Sequence, residues 1–330
     1  MNEIDLTIST WDYDRVRALI DGRVRVEGCR LNYIALSPEE CFHRGHFFKE
    51  FEATEIGCSF YLNAISIGDL SYRAIPVFLS RTFRHSGIYV RSDSGIKTPG
   101  DLRGRRVGVP EYQMTAAIWI RGMLKDQFGV DYADINWVEG GLEEWGRKSK
   151  IKLTLPPGFP LEQSPQGRSL NQMLVAGDLD AVIGARAPSC FIEGDPRVRR
   201  LFDDFKSAEK EYFAQSGIFP IMHCLAIRGD VADRHPWLAT SLLKAFEEAK
   251  RIADQDLEEV AALKIGLPWL AQELAETKAV MGENFWSYGV PDNRKTLDAM
   301  VRYAYEQGVA ARPLKMEEVF IASTVNTAKI

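Results

Sequence analysis

Arg106-Val-Gly-Val-Pro-Glu-Tyr-Gln-Met-Thr-Ala-Ala-Ile-Trp-Ile-Arg-Gly-Met-Leu-Lys-Asp-Gln-Phe-Gly129 runs from a short apolar strand straight into a helix. Arg106 to Val109 reads as the strand. From about Met114 the spacing of Ala117, Ile120, Leu124 and Phe128 gives one apolar helical face, and Gly129 stands where the helix must stop. The polar linker Ser92-Asp-Ser-Gly95 lies just upstream, so this unit is a fresh β-α start. Strands alternating with helices imply parallel sheets. Ligands of such sheets bind beyond the carboxyl ends of the strands.

An earlier series of the same kind precedes the linker. Asp5 to Thr10 alternates, with Leu6 and Ile8 on one face; a helix from about Asp14 carries Val16, Leu19 and Ile20 and stops at Gly22. Arg30 to Leu36 is a second strand. Ser37-Pro-Glu-Glu40 is a capping box with proline at the first helical position, which starts a helix running to about Phe51. Ala53 to Ser59 is a third strand, with Ser59 as a cap for the next short helix. Ile75 to Leu79 and Gly87 to Val90 are strands joined by the charged turn Ser80 to Ser86.

Beyond the quoted stretch, Ile135 to Val138 is another strand, and Gly140 to Ser169 shows no periodicity and reads as a long excursion. Asn171 to Ala176 is helical, and Ala181 to Gly184 and Ile218 to Ile227 are strands. Everything after Pro236 is helical, with a stripe at Leu242, Ala245, Phe246, Ala249, Ile252 and Ala253. That tail has no sheet of its own and is expected to pack on the first α/β unit. The reading is thus two α/β lobes, residues 1–92 with 223–330 and residues 93–222. The chain crosses between them near Ser92 and near Gly217, which predicts a doubly crossed hinge and an interlobe cleft.

Composition bounds the function. A chain of 330 residues exceeds most single cores, and 45% hydrophobic with 26% charged content supports ordinary core burial. A net charge of −5 argues against nucleic acid or an anionic membrane as partner. No apolar run approaches the ~20 residues of a membrane span. The N-terminus shows no basic segment followed by an apolar one, and the five cysteines are odd in number and scattered. Buried free thiols in a reducing compartment, the cytoplasm, are the expectation. The sequence leaves homo-oligomerisation open.

The residues just past each strand form a proposed cleft inventory. The first strand delivers Thr10, Trp11 and Asp12; the third delivers Ser59, Phe60 and Tyr61; the first crossing brings Arg81, Arg84, His85 and Ser86. The strand ending at Pro110 delivers Glu111, Tyr112, Gln113 and Thr115 at a helix start. The strand ending at Gly184 delivers Arg186, and the return crossing brings His223. Arginines and open N–H groups suit a carboxylate. Trp11, Tyr61 and Tyr112 suit a flat ring, and His85, His223 and Glu111 can move protons near neutral pH. Each also has a plain structural alternative: arginines as surface charge, Trp11 as packing, Glu111 as a helix-start charge, His223 as a core histidine.

His43 and His46 stand three apart on the helix after Pro38, with Glu39 and Glu50 a turn away. A divalent metal could sit there, but no third strong ligand is near and a solvated helix face is preferred, so no metal site is assigned. Phosphate-binding glycine loops, G-x-S-x-G and H-E-x-x-H are absent, which removes support for nucleotide, serine-hydrolase and zinc-protease chemistry.

Three segments resemble the 4,5-dihydroxyphthalate decarboxylase family: Arg81-Thr-Phe-Arg-His-Ser-Gly-Ile-Tyr-Val90, Asp101-Leu-Arg-Gly-Arg-Arg-Val-Gly-Val-Pro-Glu-Tyr-Gln-Met-Thr-Ala-Ala-Ile-Trp-Ile-Arg-Gly122 and Ile218-Phe-Pro-Ile-Met-His223. Gly177 to Arg186 and Trp137 to Gly141 fit as well. Asp101 to Val109 is general to the type II periplasmic-binding-protein fold, whereas Phe83 to Ser86 and Val109 to Gln113 are more specific. The resemblance implies that fold, a small aromatic dicarboxylate as substrate in aromatic catabolism, and loss of one carboxylate to give protocatechuate and CO2. On that reaction Arg84 and Arg186 would clamp the carboxylates, and no cofactor is required, because the ring hydroxyls activate the ring themselves. The rival is a non-catalytic solute-binding protein for an aromatic carboxylate, since the fold alone fixes no activity.

Overall fold

The computed structural model describes residues 3–147, Ser149 and residues 151–326. In chain order its strands are β1 (Ile4–Thr10), β2 (Cys29–Ala35), β3 (Ala53–Gly57), β4 (Tyr72–Arg81), β5 (Ile88–Arg91), β6 (Arg106–Val109), β7 (Asn136–Glu139), β8 (Leu161–Gln163), β9 (Ala181–Ile183), β10 (Val198–Arg200) and β11 (Ile221–Arg228). They form a five-stranded sheet, ordered β2-β1-β3-β11-β4, and a six-stranded sheet, ordered β10-β5-β9-β6-β7-β8. Each sheet is the centre of one unit. The first unit is Met1–Arg81, Ile221–Asp298 and Leu314–Ile330; the second is Thr82–Pro220 and Ala299–Pro313.

In the first unit β1 pairs in parallel with β2 and β3, as helices between consecutive strands require. Ser37 caps the helix Pro38–Phe48 by accepting from the Glu40 N–H, with proline at the first helical turn. Strand β11 runs antiparallel to both β3 and β4. It arrives from the second unit with no crossover helix, so nothing forces it parallel. Its pairing with β4 slips on both sides of His223: Leu225 lies opposite Ile75 and His223 opposite Ser80, so Pro76 to Leu79 face Cys224 alone. Pro76 has no N–H to give a ladder and tolerates this bulge, and a bulge re-aims the side chains beside it. The stripe on helix Leu238–Glu258 buries Leu242, Ala245, Phe246 and Ala249, and this helix packs on Asp14–Ile20 and β4.

In the second unit β6 is parallel to β7 and β9, and β7 to β8, whereas β5 is antiparallel to β9 and β10. The quoted helix spans Thr115–Phe128, and every residue from Thr115 to Leu124 is buried. Gly129 ends it with φ 66°, its N–H returning to the carbonyls of Leu124 and Lys125. Gly122 is required by a close approach: a Cβ there would lie 2.3 Å from the Tyr303 ring.

Several expectations differ from what is found. Residues 82–92 group with the second unit, because β5 pairs with β9 and β10. Part of the helical tail, Ala299–Pro313, also belongs there. Tyr303 donates to Asp126, Arg121 donates to Gln307 at 2.7 Å, and the Thr154 N–H donates to the Gly308 carbonyl. The sheets are mixed rather than parallel throughout. The excursion Gly140–Ser169 holds the three-residue edge strand β8, and the stretch between β9 and β11 holds β10 and the helix Phe205–Ser216. Gly57, not Ser59, is the cap of helix Cys58–Ser66.

Candidate functional site

The first unit gathers a buried carboxylate and a half-buried histidine at its strand ends. Along a strand side chains alternate faces, so Glu55 and Gly57 of β3 share one face, and His223 of β11 pairs with Gly57. With only a hydrogen atom at Gly57, the His223 ring reaches diagonally to Glu55. His223 Nδ1 lies 2.7 Å from Glu55 Oε1. The Glu55 side chain is fully buried, and that of His223 is 19% exposed. Tyr13 donates its hydroxyl to the same Oε1 at 2.7 Å, and the Trp11 N–H donates to Oε2 at 2.9 Å.

Burial alone would push the Glu55 carboxyl up. The His223 ring, the Trp11 N–H and the Tyr13 hydroxyl outweigh burial and hold it below the ordinary carboxylate range. An ionised carboxylate only accepts, so a neutral His223 carries its proton on Nδ1 and keeps Nε2 as the acceptor. Phe42 packs edge-on against the imidazole, with centroids 4.9 Å apart. Beside it the Thr10 hydroxyl donates to the Trp11 carbonyl and lies 2.6 Å from the Tyr33 hydroxyl. Thr10 spends its only hydrogen on that carbonyl, so Tyr33 donates to Thr10. Trp11 leaves 44% of its surface open. The group is an imidazole backed by a carboxylate, with two hydroxyls and an exposed indole nearby, and it can exchange a proton with an aromatic hydroxyl.

The second unit carries a polar network at the carboxyl ends of β6, β7 and β8. Glu111 accepts from Arg147 Nε at 2.5 Å and from Gln113 Nε2 at 2.9 Å, and the Ser149 hydroxyl donates to Gln113 Oε1 at 2.8 Å. Glu139, nearly fully buried, accepts from the Tyr112 N–H at 2.7 Å and from Gln163 at 2.6 Å. These bonds fix the turn that follows β6. The Tyr112 ring faces the core, with the buried Arg121 guanidinium 3.7 Å from its centroid.

His85 differs from His223 in kind. It has no exposed surface, its Nε2 lies 3.0 Å from the Gln127 side-chain amide oxygen Oε1, and Phe128, Phe202 and Tyr212 surround it. Burial lowers its pKa, only partly offset by the Gln127 bond. Arg84, half-buried, has an Nε with no hydrogen-bond partner, and burial pushes the guanidinium down to about 10 against the pull of Glu209. Arg186 stands exposed beyond β9.

The structure therefore brings Thr10, Trp11 and His223 together around Glu55, and Glu111 and Gln113 together around Arg147. Tyr61 is occupied elsewhere: its hydroxyl donates to the Val319 carbonyl and accepts from the Ala74 N–H. Ser59 and Thr115 are buried in the first turns of their helices. On the helix after Pro38, His46 packs on Phe60, His43 lies against Phe47 and Phe48, and Glu50 pairs with Arg44. Among the described residues no cluster of three His, Cys, Asp or Glu side chains could hold a metal ion. Sequence reading missed Glu55, Tyr13 and Arg147. A signal for Glu55 was present: it is the one charged residue in the otherwise apolar and small run Ala53-Thr-Glu-Ile-Gly57, and a buried charge needs a partner.

Comparison with known proteins bears on what this arrangement does. A family model described as NMT1/THI5 like matches residues 79–145. The chain is 41% identical over 330 residues to a 4,5-dihydroxyphthalate decarboxylase of Comamonas testosteroni, covering 100% of both chains. It is 43% identical over 213 residues to one of Pseudomonas putida, covering 64% of this chain and 83% of the relative. Among solved structures, a putative sulfonate ABC transporter periplasmic sulfonate-binding protein, SsuA, of Methylobacillus flagellatus superposes with a TM-score of 0.57 at 14% identity, over 97% of this chain and 92% of that one. The aliphatic sulphonate binding protein SsuA of Escherichia coli gives 0.50 at 14%, over 98% and 99%. These two show the periplasmic-binding-protein fold and nothing of the chemistry.

Proposed function

The chain belongs to the 4,5-dihydroxyphthalate decarboxylase family, and from that premise we propose that it converts 4,5-dihydroxyphthalate to protocatechuate and CO2, with His223 and Glu55 as its acid–base pair. The observation that carries the reading is the 2.7 Å contact of His223 Nδ1 with the buried Glu55 carboxylate, in a chain similar over its whole length to the Comamonas testosteroni decarboxylase.

Each ring hydroxyl of the substrate is para to one carboxylate. His223 Nε2 takes the phenolic proton, and Glu55 steadies the imidazolium that results. The phenolate electrons flow to the ipso carbon, which takes a solvent proton and forms a C–H bond. The adjacent C–C bond to the carboxylate then breaks, its electron pair restores the aromatic ring, and CO2 leaves. The imidazolium returns its proton to the phenolate oxygen. The net change is one solvent proton in and one CO2 out, with no oxidation or reduction.

Trp11 supplies a face for the ring, and the Tyr33 hydroxyl oxygen, held by its bond to the buried Thr10, can accept from the second hydroxyl. Arg84 and Arg186 are our proposed carboxylate partners. Glu111, ion-paired with Arg147, fits the holding of Arg147 and of Gln113 better than proton transfer. His85, Tyr61 and Tyr112, enclosed in core packing, take no direct part in this scheme. Five free, buried cysteines suit a reducing compartment, and we place the enzyme in the cytoplasm.

The test is to incubate the purified protein with 4,5-dihydroxyphthalate in D2O. CO2 should be released, and the product should carry one deuteron on the carbon that lost its carboxylate. Unchanged substrate with tight binding would favour a solute-binding protein instead.

A further inference from the structure

We propose that Tyr13 is a positioning residue for this reaction, acting on His223 through Glu55, and that Arg15 locks it in place; the proposal rests on the acid–base reading of His223 above. Tyr13 and His223 reach the same carboxylate oxygen, Glu55 Oε1, each at 2.7 Å. They divide its negative charge between them, so the Tyr13 hydroxyl sets how strongly Glu55 stabilises a protonated His223. Burial and then the adjoining carboxylate push the Tyr13 hydroxyl far above its usual range, so it remains a donor throughout the working pH. Ser80, which pairs with His223 across β4 and β11, also hydrogen-bonds Tyr13.

Arg15 fixes the ring. Its guanidinium carbon lies 4.1 Å from the Tyr13 centroid and 4.1 Å from that of Trp286, and its Nε and Nη2 both donate to the Leu79 carbonyl. Trp286 is itself tied by its indole N–H to the Phe78 carbonyl at 2.9 Å. A run of fixed contacts thus joins Trp286, Arg15, Tyr13, Glu55 and His223. The other ionisable groups facing Glu55 are Tyr33 from β2, Cys41 from the helix Pro38–Phe48 and Cys58 from the first turn of the helix Cys58–Ser66. Cys224 follows His223 on β11 and contacts Cys58. Burial raises Tyr33, Cys41 and Cys58, which therefore stay neutral, and the fixed charges beside Tyr13 are Arg15 and the Asp14 carboxylate ion-paired with it at 2.9 Å.

The experiment is the pH profile of kcat/KM. In Tyr13→Phe the Oε1 atom turns wholly to His223 while Oε2 keeps the Trp11 N–H, and the acid limb should move up by about half to one pH unit, the scale of one hydrogen bond, with the plateau changed less than about threefold. Arg15→Met should give a smaller shift in the same direction, and it serves as the test should Tyr13→Phe fail to fold. A lowered melting temperature with an unmoved acid limb in both variants overturns the proposal and leaves Tyr13 a packing residue. The two readings separate cleanly. Wild-type turnover in Glu55→Gln and in His223→Asn would sink the acid–base pair itself. Loss of turnover in those two, with an unmoved limb in Tyr13→Phe and Arg15→Met, sinks the role of Tyr13 alone.

Discussion

His223 and His85 occupy opposite kinds of surroundings. His223 touches a buried carboxylate and keeps part of its ring open, whereas His85 touches a neutral amide and is walled in by three aromatic rings. A carboxylate partner stabilises imidazolium, and an open edge lets a substrate reach the second nitrogen. An amide partner in an apolar shell favours neutral imidazole and admits nothing. Residue type alone nominates both histidines; their partners separate a proton carrier from a packing element.

The largest effect is expected at Glu55. Glu55→Gln keeps the shape but removes the charge, and turnover should fall about 10²–10⁴-fold, the range for disabling a general acid or base. Steady-state kinetics on protein that melts cooperatively will decide it, and a change below about threefold would detach Glu55 from the chemistry.

A middling effect is expected at Arg186. Arg186→Ala should weaken substrate binding by roughly 1.5–3 kcal/mol, the value of a charge-assisted hydrogen bond. Arg186→Lys should restore only part, since an ammonium lacks the forked contact. Titration of catalytically silent Glu55→Gln with substrate reads this directly, and equal affinity in the arginine variants would remove Arg186 from the site.

At His85 the effect moves from rate to stability. His85→Asn should cost roughly 1–3 kcal/mol of stability while turnover stays within about threefold. Acid melts sharpen the contrast. His85 is held below its ordinary value in the fold, so the unfolded chain binds its proton first, and stability falls as pH drops below the usual imidazole value of ~6.5. Glu55 is also depressed: its contribution persists above the usual carboxylate value of ~4.3 and is lost only as pH falls through its lower folded value. His85→Asn should therefore flatten the loss that begins near neutrality and leave the later one. An unchanged melt profile between pH 7 and 5 would contradict the buried, neutral reading of His85.

Much of this was legible in the sequence. The β-α units around Leu6 and Val107, the cap at Ser37 and the stop at Gly129 follow from periodicity and capping, which are local properties. Strands β8 and β10 were not legible, because three residues carry no period. Nor was the placement of Ala299–Pro313, which depends on Gly122 admitting the Tyr303 ring. At the site, Thr10, Trp11 and His223 could be nominated from strand ends. Glu55 was hidden inside a strand, and its role appears only when β11 inserts beside β3. Tyr61 shows the converse: it sits at a strand end, yet its hydroxyl serves the backbone of Ala74 and Val319.

The central claim is that His223, and not His85, carries the proton in decarboxylation, and one paired measurement tests it most directly. CO2 release from 4,5-dihydroxyphthalate should be followed for wild type, His223→Asn and His85→Asn at equal concentrations of folded protein. Wild type and His85→Asn should release CO2 at rates within about threefold of each other, with His223→Asn slower by about 10²–10⁴-fold. A folded His223→Asn that matches wild type, or a His85→Asn that alone falls silent, would contradict the account.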